Sequence, residues 1–573
     1  MKKTTPFYLI VLLGLLASGL SGCSQSNPAM VSSANPHASR AAAEMLNKGG
    51  SAMDAAVAAQ LVLGLVEPQS SGIGGGAFAL YWDAGEAKIT SFDGREKAPA
   101  AADQTLFLDN AGQPISWPSA SIGGRAVGAP GVIALAWKAH QKFGHLSWAQ
   151  LFQPAIRLAE NGFKVSPRLH NAIKRGQAAL KQDQSARSIY FTPDSTEPLT
   201  VGSTLKNPDY AKTMTMIAKQ GPDGFYQGPV ARAIVRAVKS HGENPGLLTM
   251  ADLKNYTAVE RSVVCLPYRA YKVCGMAPPT SGGLTSLMIL GMLENFDLGA
   301  LKPGSPMAMH LFTQASRLAY ADRNVYMGDA DFVSVPIGGL LDKHYLKSRA
   351  RLINPLADMA TAKPGTPPAA NPATKKAAGL KTPEYGTSHL SIVDGNGNAV
   401  SMTTSVERSF GSHIMAGGFV LNNQLTDFSF VPVRGGVKVA NRVEGGKRPR
   451  SSMSPTLVFG HDGKLFATIG SPGGSRIIEF VSRTLIGLID WQLPMQEAIN
   501  LGNVNNRNRI TELEAGTVVA GFADQFKAMG HEVKVHDLTS GLHGVRITRS
   551  GPVPHMDGGA DPRREGLVIE LGK

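Results

Sequence analysis

The feature that most constrains this chain is a pair of alternating stretches, joined by a tight turn, in its C-terminal third. The first stretch covers 387–394, a turn rich in Gly and Asn follows at 395–398, and the second stretch covers 399–405. Alternation of apolar and polar residues over such lengths is typical of β-strands, and the short turn predicts an antiparallel pair. We hypothesise that the chain cuts its own bond between Gly386 and Thr387, so that Thr387 becomes a new N-terminus and acts as a nucleophile.

Threonine needs a neighbouring base to serve as a nucleophile, because its hydroxyl is a poor one on its own. A free α-amino group on the same residue can fill that role, since its reference pKa of about 7.7–8.0 leaves part of it neutral near pH 7. Cleavage would proceed by attack of the Thr387 hydroxyl on the carbonyl of Gly386, an N-to-O acyl shift and hydrolysis of the ester. Glycine before the bond keeps this carbonyl open to attack.

The overall charge of the chain does not favour a nucleic-acid function. The 573 residues include 57 Lys and Arg against 43 Asp and Glu, which gives a net charge of +14. The basic residues are scattered rather than gathered in a stripe with aromatic residues, and the one tight cluster spans 447–450. A generally basic surface therefore explains the charge better than a nucleic-acid partner. Hydrophobic residues at 43% and charged residues at 17% exclude wholesale disorder.

The N-terminus has the pattern of a secretory signal. Two lysines follow Met1, an apolar run covers 7–20, and a short stretch of small residues ends at Cys23. The apolar run is too short to span a membrane, so residues 1–22 are predicted to be a signal peptide. The tetrad that ends at Cys23 resembles a bacterial lipobox, which implies lipidation of this cysteine; a plain signal peptide is the alternative. A lipid anchor predicts a periplasmic location in the bacterial cell envelope, with the membrane contacted only through the lipid.

Two further cysteines, Cys265 and Cys274, lie close together in the sequence. In an oxidising compartment they can form a disulfide across a short hairpin, and two separate buried thiols are the alternative. They have no histidines at a matching spacing and therefore give no zinc signature. The sequence implies no metal and no organic cofactor.

A glycine run near the N-terminus has the composition of a dinucleotide-binding loop but not its context. Ser51 and Asp54 form a capping-box pattern, which predicts the start of an almost wholly apolar, buried helix over 52–66. The glycine run at 72–76 follows this helix and leads into a predicted strand at 77–82. A dinucleotide loop requires a strand before the glycines and a helix after them. We therefore expect close backbone packing or substrate approach at this run.

The chain is predicted to form one catalytic unit from two pieces. Residues 358–385 are rich in Ala, Pro, Lys and Thr and hold almost no large apolar residues, so this segment is expected to be a mobile, exposed tail. Cleavage before Thr387 would leave a large subunit of residues 23–386 and a small subunit of residues 387–573, which stay associated. Strands precede helices in the small subunit, which suggests two layered sheets with helices outside them.

Several sequence blocks together resemble the γ-glutamyltransferase (γ-glutamyl transpeptidase) family of N-terminal-nucleophile hydrolases. The small subunit of that family begins with Thr, a small residue and His, and a strand follows that ends in Asp-x-x-Gly-Asn-Ala-Val; residues 387–400 fit this pattern. Further blocks match in the same order between residue 35 and the C-terminus, and so many in register make the resemblance specific. They are 49–58, 72–78, 95–99, 421–428, 448–456, 470–477 and 561–563.

The resemblance implies an α+β fold, a four-layer αββα sandwich, and an acyl-transfer reaction. Thr387 would attack the γ-glutamyl amide, and Ser405 stands where the family usually has a second threonine that hydrogen-bonds the nucleophile. The backbone N–H groups of Gly473 and Gly474 would hold the oxyanion, and such donors are typically worth about 2.7–4 kcal/mol each. The acyl-enzyme would then react with water or with an amino acid or peptide. Glutathione is the expected donor.

The resemblance also assigns the groups that bind the donor. The predicted contacts are Arg95, Ser451 and Ser452 for the α-carboxylate, and Asp427, Gln424 and Glu407 for the α-ammonium group. Glu407 stands where Asn is common in the family, and its carboxylate would still hold an ammonium group but could shift the preference among donors. The stretch between Asp427 and Ser451 looks shorter than in members with a lid loop. An open site with a basic rim would admit bulkier or acidic substrates, including poly-γ-glutamate.

Two alternative functions stay open at this point. An acylase for glutaryl-type amides would share the fold, but its donors lack the α-ammonium group that Asp427 and Gln424 are predicted to bind. A non-catalytic lipoprotein that binds γ-glutamyl peptides is disfavoured because Thr387, Ser405 and both glycines are present. His389 has a nearly equal chance of being a packed core residue, so it is left out of the predicted catalytic residues.

Overall fold

The computed structural model describes residues 28–370, 386–549, 551 and 554–572. The predicted signal peptide at 1–22, the predicted lipidation site Cys23 and the greater part of the predicted tail, 371–385, lie outside the described residues. Within the described ranges, no helix is both long enough and apolar enough to cross a membrane.

The α-helices of the described residues are concentrated before residue 350. They are α1 (Pro36–Asn47), α2 (Ala52–Val66), α3 (Trp117–Ser121), α4 (Val132–Phe143), α5 (Trp148–Asn161), α6 (Pro167–Leu180), α7 (Gln184–Tyr190), α8 (Pro208–Gln220), α9 (Asp223–Tyr226), α10 (Gly228–Lys239), α11 (Met250–Lys254), α12 (Gly282–Leu293), α13 (Pro306–Tyr326), α14 (Ile337–Leu340), α15 (Lys343–Ala350), α16 (Ile477–Ile489), α17 (Met495–Asn500) and α18 (Ala523–Ala528). Short 3-10 helices cover Gln424–Asp427, Gly474–Arg476 and Val518–Phe522.

The strands dominate the part of the chain after Gly386. They are β1 (Ala29–Ser33), β2 (Gly76–Asp83), β3 (Lys88–Gly94), β4 (Phe163–Lys164), β5 (Thr204–Leu205), β6 (Val259–Arg261), β7 (Val263–Tyr268), β8 (Tyr271–Met276), β9 (Gly386–Val393), β10 (Ala399–Glu407), β11 (Met415–Ala416), β12 (Phe419–Val420), β13 (Val433–Arg434), β14 (Val437–Lys438), β15 (Thr456–Phe459), β16 (Leu465–Gly470), β17 (Val504–Asn505), β18 (Thr511–Glu514), β19 (Val533–His536), β20 (His543–Thr548), β21 (His555–Ala560) and β22 (Leu567–Leu571).

Strand β9, which begins at Gly386, lies in the middle of the first large sheet. The strand order of this sheet is β22-β1-β9-β10-β2-β3-β6, and β9 pairs antiparallel with β1 and with β10. The predicted hairpin is confirmed, with His389 opposite Thr403. The register then shifts, so that Glu407 lies opposite Gly386. This β-bulge bends the end of β10 around the bond that is predicted to be cut.

The second large sheet packs face to face against the first. Its order is β21-β20-β16-β15-β8-β7, and β16 and β20 lie against β9. Helices α1 and α2 cover the outer face of the first sheet, with α5 packed on α2, while α12 and α16 cover the outer face of the second sheet. Two large apolar cores fill the space between these layers. The predicted αββα fold of the α+β class is confirmed.

The glycine run after α2 brings backbone against backbone, as predicted. Ser51 and Asp54 form the capping box that starts α2, and all 15 residues of this helix are buried. A Cβ atom on Gly75 would lie 2.0 Å from the carbonyl oxygen of Ser405. Only glycine fits at this position, and its close approach sets β10 directly beside the run.

The start of the tail that is predicted to be mobile from residue 358 makes specific contacts with the rest of the protein. Asp358 forms a buried ion pair with Arg317 of α13, with 2.9 Å between Oδ1 and Nε. The backbone of Ala362 exchanges two hydrogen bonds, of 2.7 and 2.9 Å, with the side-chain amide of Asn508. Polar side chains and backbone groups, rather than large apolar residues, make these contacts; most of the residues from 358 to 370 are exposed or half-buried, and the mobility of the segment stays a prediction.

Three further features complete or correct the sequence-based assignment. Cys265 and Cys274, for which a disulfide and free thiols were both possible, form a disulfide between β7 and β8. The basic cluster at 447–450 is buried, because its side chains pair with carboxylates and carbonyl groups inside the protein. Residues 518–528 form a 3-10 segment followed by the short α18.

Candidate active site

Thr387 lies buried near the start of β9, where its hydroxyl faces a second hydroxyl and the carbonyl that precedes it. Its Oγ1 donates to the carbonyl oxygen of Gly386 and lies 3.2 Å from the Oγ of Ser405. Ser405 donates to the same carbonyl at 2.6 Å and accepts from the backbone N–H of Glu407 at 2.8 Å. Because two hydroxyls converge on the Gly386 carbonyl, they are placed to polarise it.

The backbone around Gly386 is closely confined by its neighbours. A Cβ atom on Gly386 would lie 2.7 Å from the carbonyl carbon and oxygen of Arg408, so no larger residue fits without a shift. On the other side of the bond, the carbonyl of Thr387 accepts a hydrogen bond of 3.0 Å from Nη1 of Arg564. The peptide bond between Gly386 and Thr387 is therefore fixed in place from both sides.

Glu407 is placed by the β-bulge that brings it opposite Gly386. Its φ of 80° lies in the left-handed region, which is rare for a residue other than glycine and costs about 1–3 kcal/mol. Its side chain is buried and lines the same cavity as Thr387. The strained backbone therefore directs a carboxyl group into the candidate site.

One cavity collects nearly all the residues that the sequence predicted. Its lining residues are Arg95, Thr387, Ser405, Glu407, Gln424, Asp427, Ser451, Ser452, Met453, Gly474 and Ile477. Gly386 and Gly473 are not among the lining residues, but each directly precedes one that is. The structure therefore brings these residues together around one cavity. Their individual catalytic and binding roles stay predictions.

Within the cavity, Arg95 and Asp427 are paired with each other through Nη2 and Oδ2. Gln424 donates to the same Oδ2 from Nε2 at 2.8 Å. Arg95 is held from behind, since its Nε and Nη2 donate to the carbonyl oxygens of Pro449 and Arg450 at 3.1 and 3.3 Å. A ligand that carries both a carboxylate and an ammonium group has the charges to exchange with each member of this pair.

Ser451 and Ser452 are held by residues that the sequence did not single out. The Oγ of Ser452 accepts from Nη2 of Arg323 at 2.6 Å, and the carbonyl of Ser451 accepts from the Oγ of Ser281 at 2.7 Å. Arg323 and Ser281 belong to the predicted large subunit, whereas the two serines belong to the predicted small subunit. The available signal was an arginine on the buried face of α13, but no spacing motif connects it with the site.

Gly473 and Gly474 form the turn between β16 and α16. Their φ values of 136° and 61° lie in the left-handed region, which glycine adopts without strain. A Cβ atom on Gly473 would lie 2.5 Å from the ring of Phe480. The 3-10 turn over Gly474–Arg476 leads into α16, so the partial positive charge of a helix N-terminus lies beside the cavity. This position suits the predicted oxyanion role.

Burial shifts the pKa of two groups close to these residues. It raises the pKa of Glu96 to about 8 from an ordinary value of 4.5, although the guanidinium of Arg95 opposes the shift. The Glu96 carboxyl is therefore largely neutral at pH 7. Burial also lowers the pKa of His389 well below its usual range, and the ring nitrogens of His389 lie 2.9 Å from Thr403 Oγ1 and 3.1 Å from Ser391 Oγ. His389 packs as a core histidine.

The fold and the cavity together define a class of protein. A four-layer αββα sandwich, with a buried hydroxyl at the start of a central strand and a charged cavity beside it, is the arrangement of an N-terminal-nucleophile hydrolase, an enzyme class that performs acyl transfer. The family model for gamma-glutamyltranspeptidase matches residues 38–571, so the chain belongs to the γ-glutamyltranspeptidase family of enzymes.

Individual relatives match the chain over nearly its whole length. It is 38% identical over 548 residues to the glutathione hydrolase proenzyme of Escherichia coli (strain K12), a match that covers 93% of this chain and 90% of that protein. It is 36% identical over 551 residues to the glutathione hydrolase proenzyme of Bacillus subtilis (strain 168), with coverage of 95% and 91%. The crystal structure of cephalosporin acylase from Bacillus halodurans matches with a TM-score of 0.81 at 26% identity and covers 95% of this chain and 96% of that one.

Proposed function

We propose that this chain cuts itself between Gly386 and Thr387 and then transfers γ-glutamyl groups from glutathione or other γ-glutamyl amides to water, amino acids or peptides. The observation that carries the proposal is the pairing of Arg95 with Asp427 in the cavity that also holds Thr387. An adjacent cation and anion complement the α-carboxylate and α-ammonium groups of such a donor. No simple amide of a dicarboxylic acid offers both charges.

The first step acts on the chain itself. Thr387 Oγ1 attacks the carbonyl carbon of Gly386, and the hydrogen bond of 2.6 Å from Ser405 stabilises the negative charge that develops on the carbonyl oxygen. The C–N bond then breaks, and the nitrogen leaves as the α-amine of Thr387 with the proton that the hydroxyl has lost. Water hydrolyses the resulting ester, which releases the carboxylate of Gly386 and restores the Thr387 hydroxyl.

The same hydroxyl then acts on the donor. The new α-amine takes the proton of Thr387 Oγ1 while the oxygen attacks the γ-amide carbon, and the backbone N–H groups of Gly473 and Gly474 bind the oxyanion. The tetrahedral intermediate then collapses and expels the amine, which receives this proton from the α-ammonium group of Thr387. A γ-glutamyl ester is left on Thr387. Water then yields glutamate, or an acceptor amine yields a new γ-glutamyl amide. The two relatives described as glutathione hydrolase proenzymes support glutathione as the donor and cleavage into two associated subunits.

A second candidate function is an acylase for glutaryl-type amides. The similarity in fold to a cephalosporin acylase favours it. Such donors have a carboxylate for Arg95 but no ammonium group for Asp427. The Asp427 carboxylate and the Gln424 amide that it accepts from would then have no partner group on the donor. We therefore place this activity second.

Hydrolysis of matched anilides separates the two functions. The purified, processed protein is assayed with γ-glutamyl and glutaryl p-nitroanilides, together with the Asp427→Asn variant. The proposal predicts that the wild type prefers the γ-glutamyl compound and that Asp427→Asn lowers kcat/KM for that compound alone. Asp524→Asn, at an exposed carboxylate on α18, is the matched control. Equal or faster hydrolysis of the glutaryl compound by the wild type would favour the acylase.

We also propose that the chain is exported and anchored to a membrane of the bacterial cell envelope, facing the periplasm. The support is the sequence alone, in the signal pattern of residues 1–22 and the lipobox-like tetrad that ends at Cys23. Mass spectrometry of the N-terminal peptide from membrane fractions tests it. The expected product begins with a lipidated Cys23, and a Cys23→Ala variant should appear in the soluble fraction. An unmodified cysteine in mature protein would contradict the anchor.

A further inference from the structure

Arg323 lies on α13 behind the carboxylate-binding serines and is almost fully buried, with 3% of its surface exposed. Its Nη2 donates to the Oγ of Ser452 at 2.6 Å, and its Nε donates to the Oγ of Ser281 at 2.8 Å. Ser281 in turn contacts Ser451, because its hydroxyl donates to the carbonyl of Ser451 at 2.7 Å. One guanidinium group therefore contacts Ser452 directly and Ser451 through Ser281.

The chemistry of the guanidinium group fixes the direction of these hydrogen bonds. Arginine has five N–H donors and no acceptor, so the Oγ of Ser452 must accept from Arg323. The single proton of the Ser452 hydroxyl must then point away from Arg323. Ser452 lines the cavity beside Arg95, so the proton is available to a group bound there. A serine oriented in this way offers a donor to an anion.

We infer that Arg323 is a positioning residue that sets donor specificity, by keeping Ser452 a hydrogen-bond donor toward the α-carboxylate of the substrate. The inference rests on the proposed function. It predicts that Arg323 strengthens binding of donors with a free α-carboxylate more than binding of donors in which that group is a neutral carboxamide. A hydrogen bond to a charged group stabilises a complex more than a hydrogen bond to a neutral group does.

Tyr320, which lies one turn before Arg323 on α13, contacts the predicted oxyanion turn. The hydroxyl of Tyr320 donates to the carbonyl of Ser475, which follows Gly474, and the guanidinium of Arg323 lies 5.5 Å from the centre of the Tyr320 ring. Residues three apart share one face of a helix, so α13 supports both the carboxylate contact and the oxyanion turn. A Tyr320→Phe variant should lower kcat, whereas changes at Arg323 should chiefly raise KM for the charged donor.

The test compares two donors, γ-glutamyl p-nitroanilide and its α-carboxamide analogue. The enzymes are the wild type and the variants Arg323→Gln, Arg323→Lys and Ser452→Ala, each assayed as the processed protein. The inference predicts that Arg323→Gln reduces the preference for the carboxylate donor, measured as the ratio of kcat/KM values, by roughly tenfold. Arg323→Lys should fall between this variant and the wild type, because an ammonium group provides a donor without the planar fork.

The Ser452→Ala variant removes the same hydrogen-bond donor and serves as the test if the buried Arg323→Gln variant does not fold. It should lose the carboxylate preference to a similar extent, and a preference equal to that of the wild type would overturn the inference. Equal losses of kcat/KM for both donors in Arg323→Gln would show a merely structural role and would also overturn it. If the wild type hydrolyses neither donor, the proposed function fails and the inference falls with it. A wild type that is active, with an unchanged preference in the variants, refutes the inference alone.

Discussion

The cavity joins two groups of residues that are built in different ways, and we name them by the roles proposed for them. The nucleophile group, which comprises Gly386, Thr387 and Ser405, consists of neutral hydroxyl and carbonyl groups on two adjacent strands. The recognition group is charged and polar and comes from distant segments of both predicted subunits. It comprises Arg95, Gln424, Asp427, Ser451 and Ser452, with Arg323 behind them.

Because the two groups differ in chemistry, substitutions in them should impair the enzyme in different ways. A change in the nucleophile group removes bond-making chemistry and should lower kcat, including the rate of self-cleavage. A change in the recognition group removes charge complementarity and should raise KM while leaving self-cleavage intact, because the cut bond carries no α-carboxylate or α-ammonium group.

The largest effect is expected for Thr387→Ala. Without the hydroxyl neither self-cleavage nor acyl transfer can proceed, so both should fall by at least about 10³-fold. Electrophoresis under denaturing conditions measures the cut, and γ-glutamyl p-nitroanilide hydrolysis measures turnover. Thr387→Ser keeps a hydroxyl and should retain partial cleavage. An uncut Thr387→Ala protein that still hydrolyses the anilide would remove Thr387 from the mechanism.

The next largest effect is expected for Arg95→Gln, in the recognition group. Loss of a buried charge partner typically costs about 2–5 kcal/mol of binding, which corresponds to a rise in KM of roughly 30-fold or more. Self-cleavage should continue, since Arg95 makes no contact with Gly386 or Thr387 among the described contacts. Steady-state kinetics and electrophoresis of the same preparation check both statements. An uncut Arg95→Gln protein that remains folded by circular dichroism would break the division between the two groups.

A smaller effect is expected for Ser405→Ala, in the nucleophile group. The variant loses one neutral hydrogen bond to the Gly386 carbonyl and one contact with Thr387, so the rate of self-cleavage and kcat should fall by about tenfold with little change in KM. Ser405→Thr keeps the hydroxyl and is the matched control, with near wild-type rates expected. A fall in the Ser405→Ala variant confined to KM would place Ser405 with the recognition group.

The last expected effect is on stability rather than on turnover; it is expected for Glu96→Gln and depends on pH. The Glu96 pKa is about 8 in the folded protein, whereas the same carboxyl in the unfolded chain ionises near 4.5. Between pH 4.5 and about pH 8 the folded state keeps the Glu96 proton that the unfolded state has lost. The free energy of unfolding therefore decreases as pH rises through this range. Glu96→Gln removes that penalty, so its melting temperature relative to the wild type should rise between pH 5 and pH 8 and then level off. A difference that is the same at pH 5 and pH 8.5 would contradict the shift.

Much of the nucleophile group was predictable because it is local in the sequence. The alternation after Thr387 predicted the strand, and the turn at 395–398 predicted the partner strand that carries Ser405. The capping box at Ser51 likewise predicted the start of α2 to the residue. In each case neighbours in the chain are also neighbours in the fold.

The recognition group was predictable only where the family resemblance supplied its motifs. Arg323 was missed because its hydrogen bond to Ser452 joins residues 129 apart, and no local pattern records such a contact. The contacts of residues 358–362 were missed for a related reason. They join Asp358 to Arg317 and the Ala362 backbone to Asn508, and composition does not register interactions of that kind.

Intact-mass spectrometry and N-terminal sequencing of the purified wild-type protein show whether Thr387 becomes the N-terminus of a separate subunit. We expect two polypeptides that remain associated in native solution, the smaller of which begins at Thr387 and ends at the C-terminus of the chain. A single polypeptide with an intact bond between Gly386 and Thr387 in an active preparation, or a fragment that begins at another residue, would contradict this expectation.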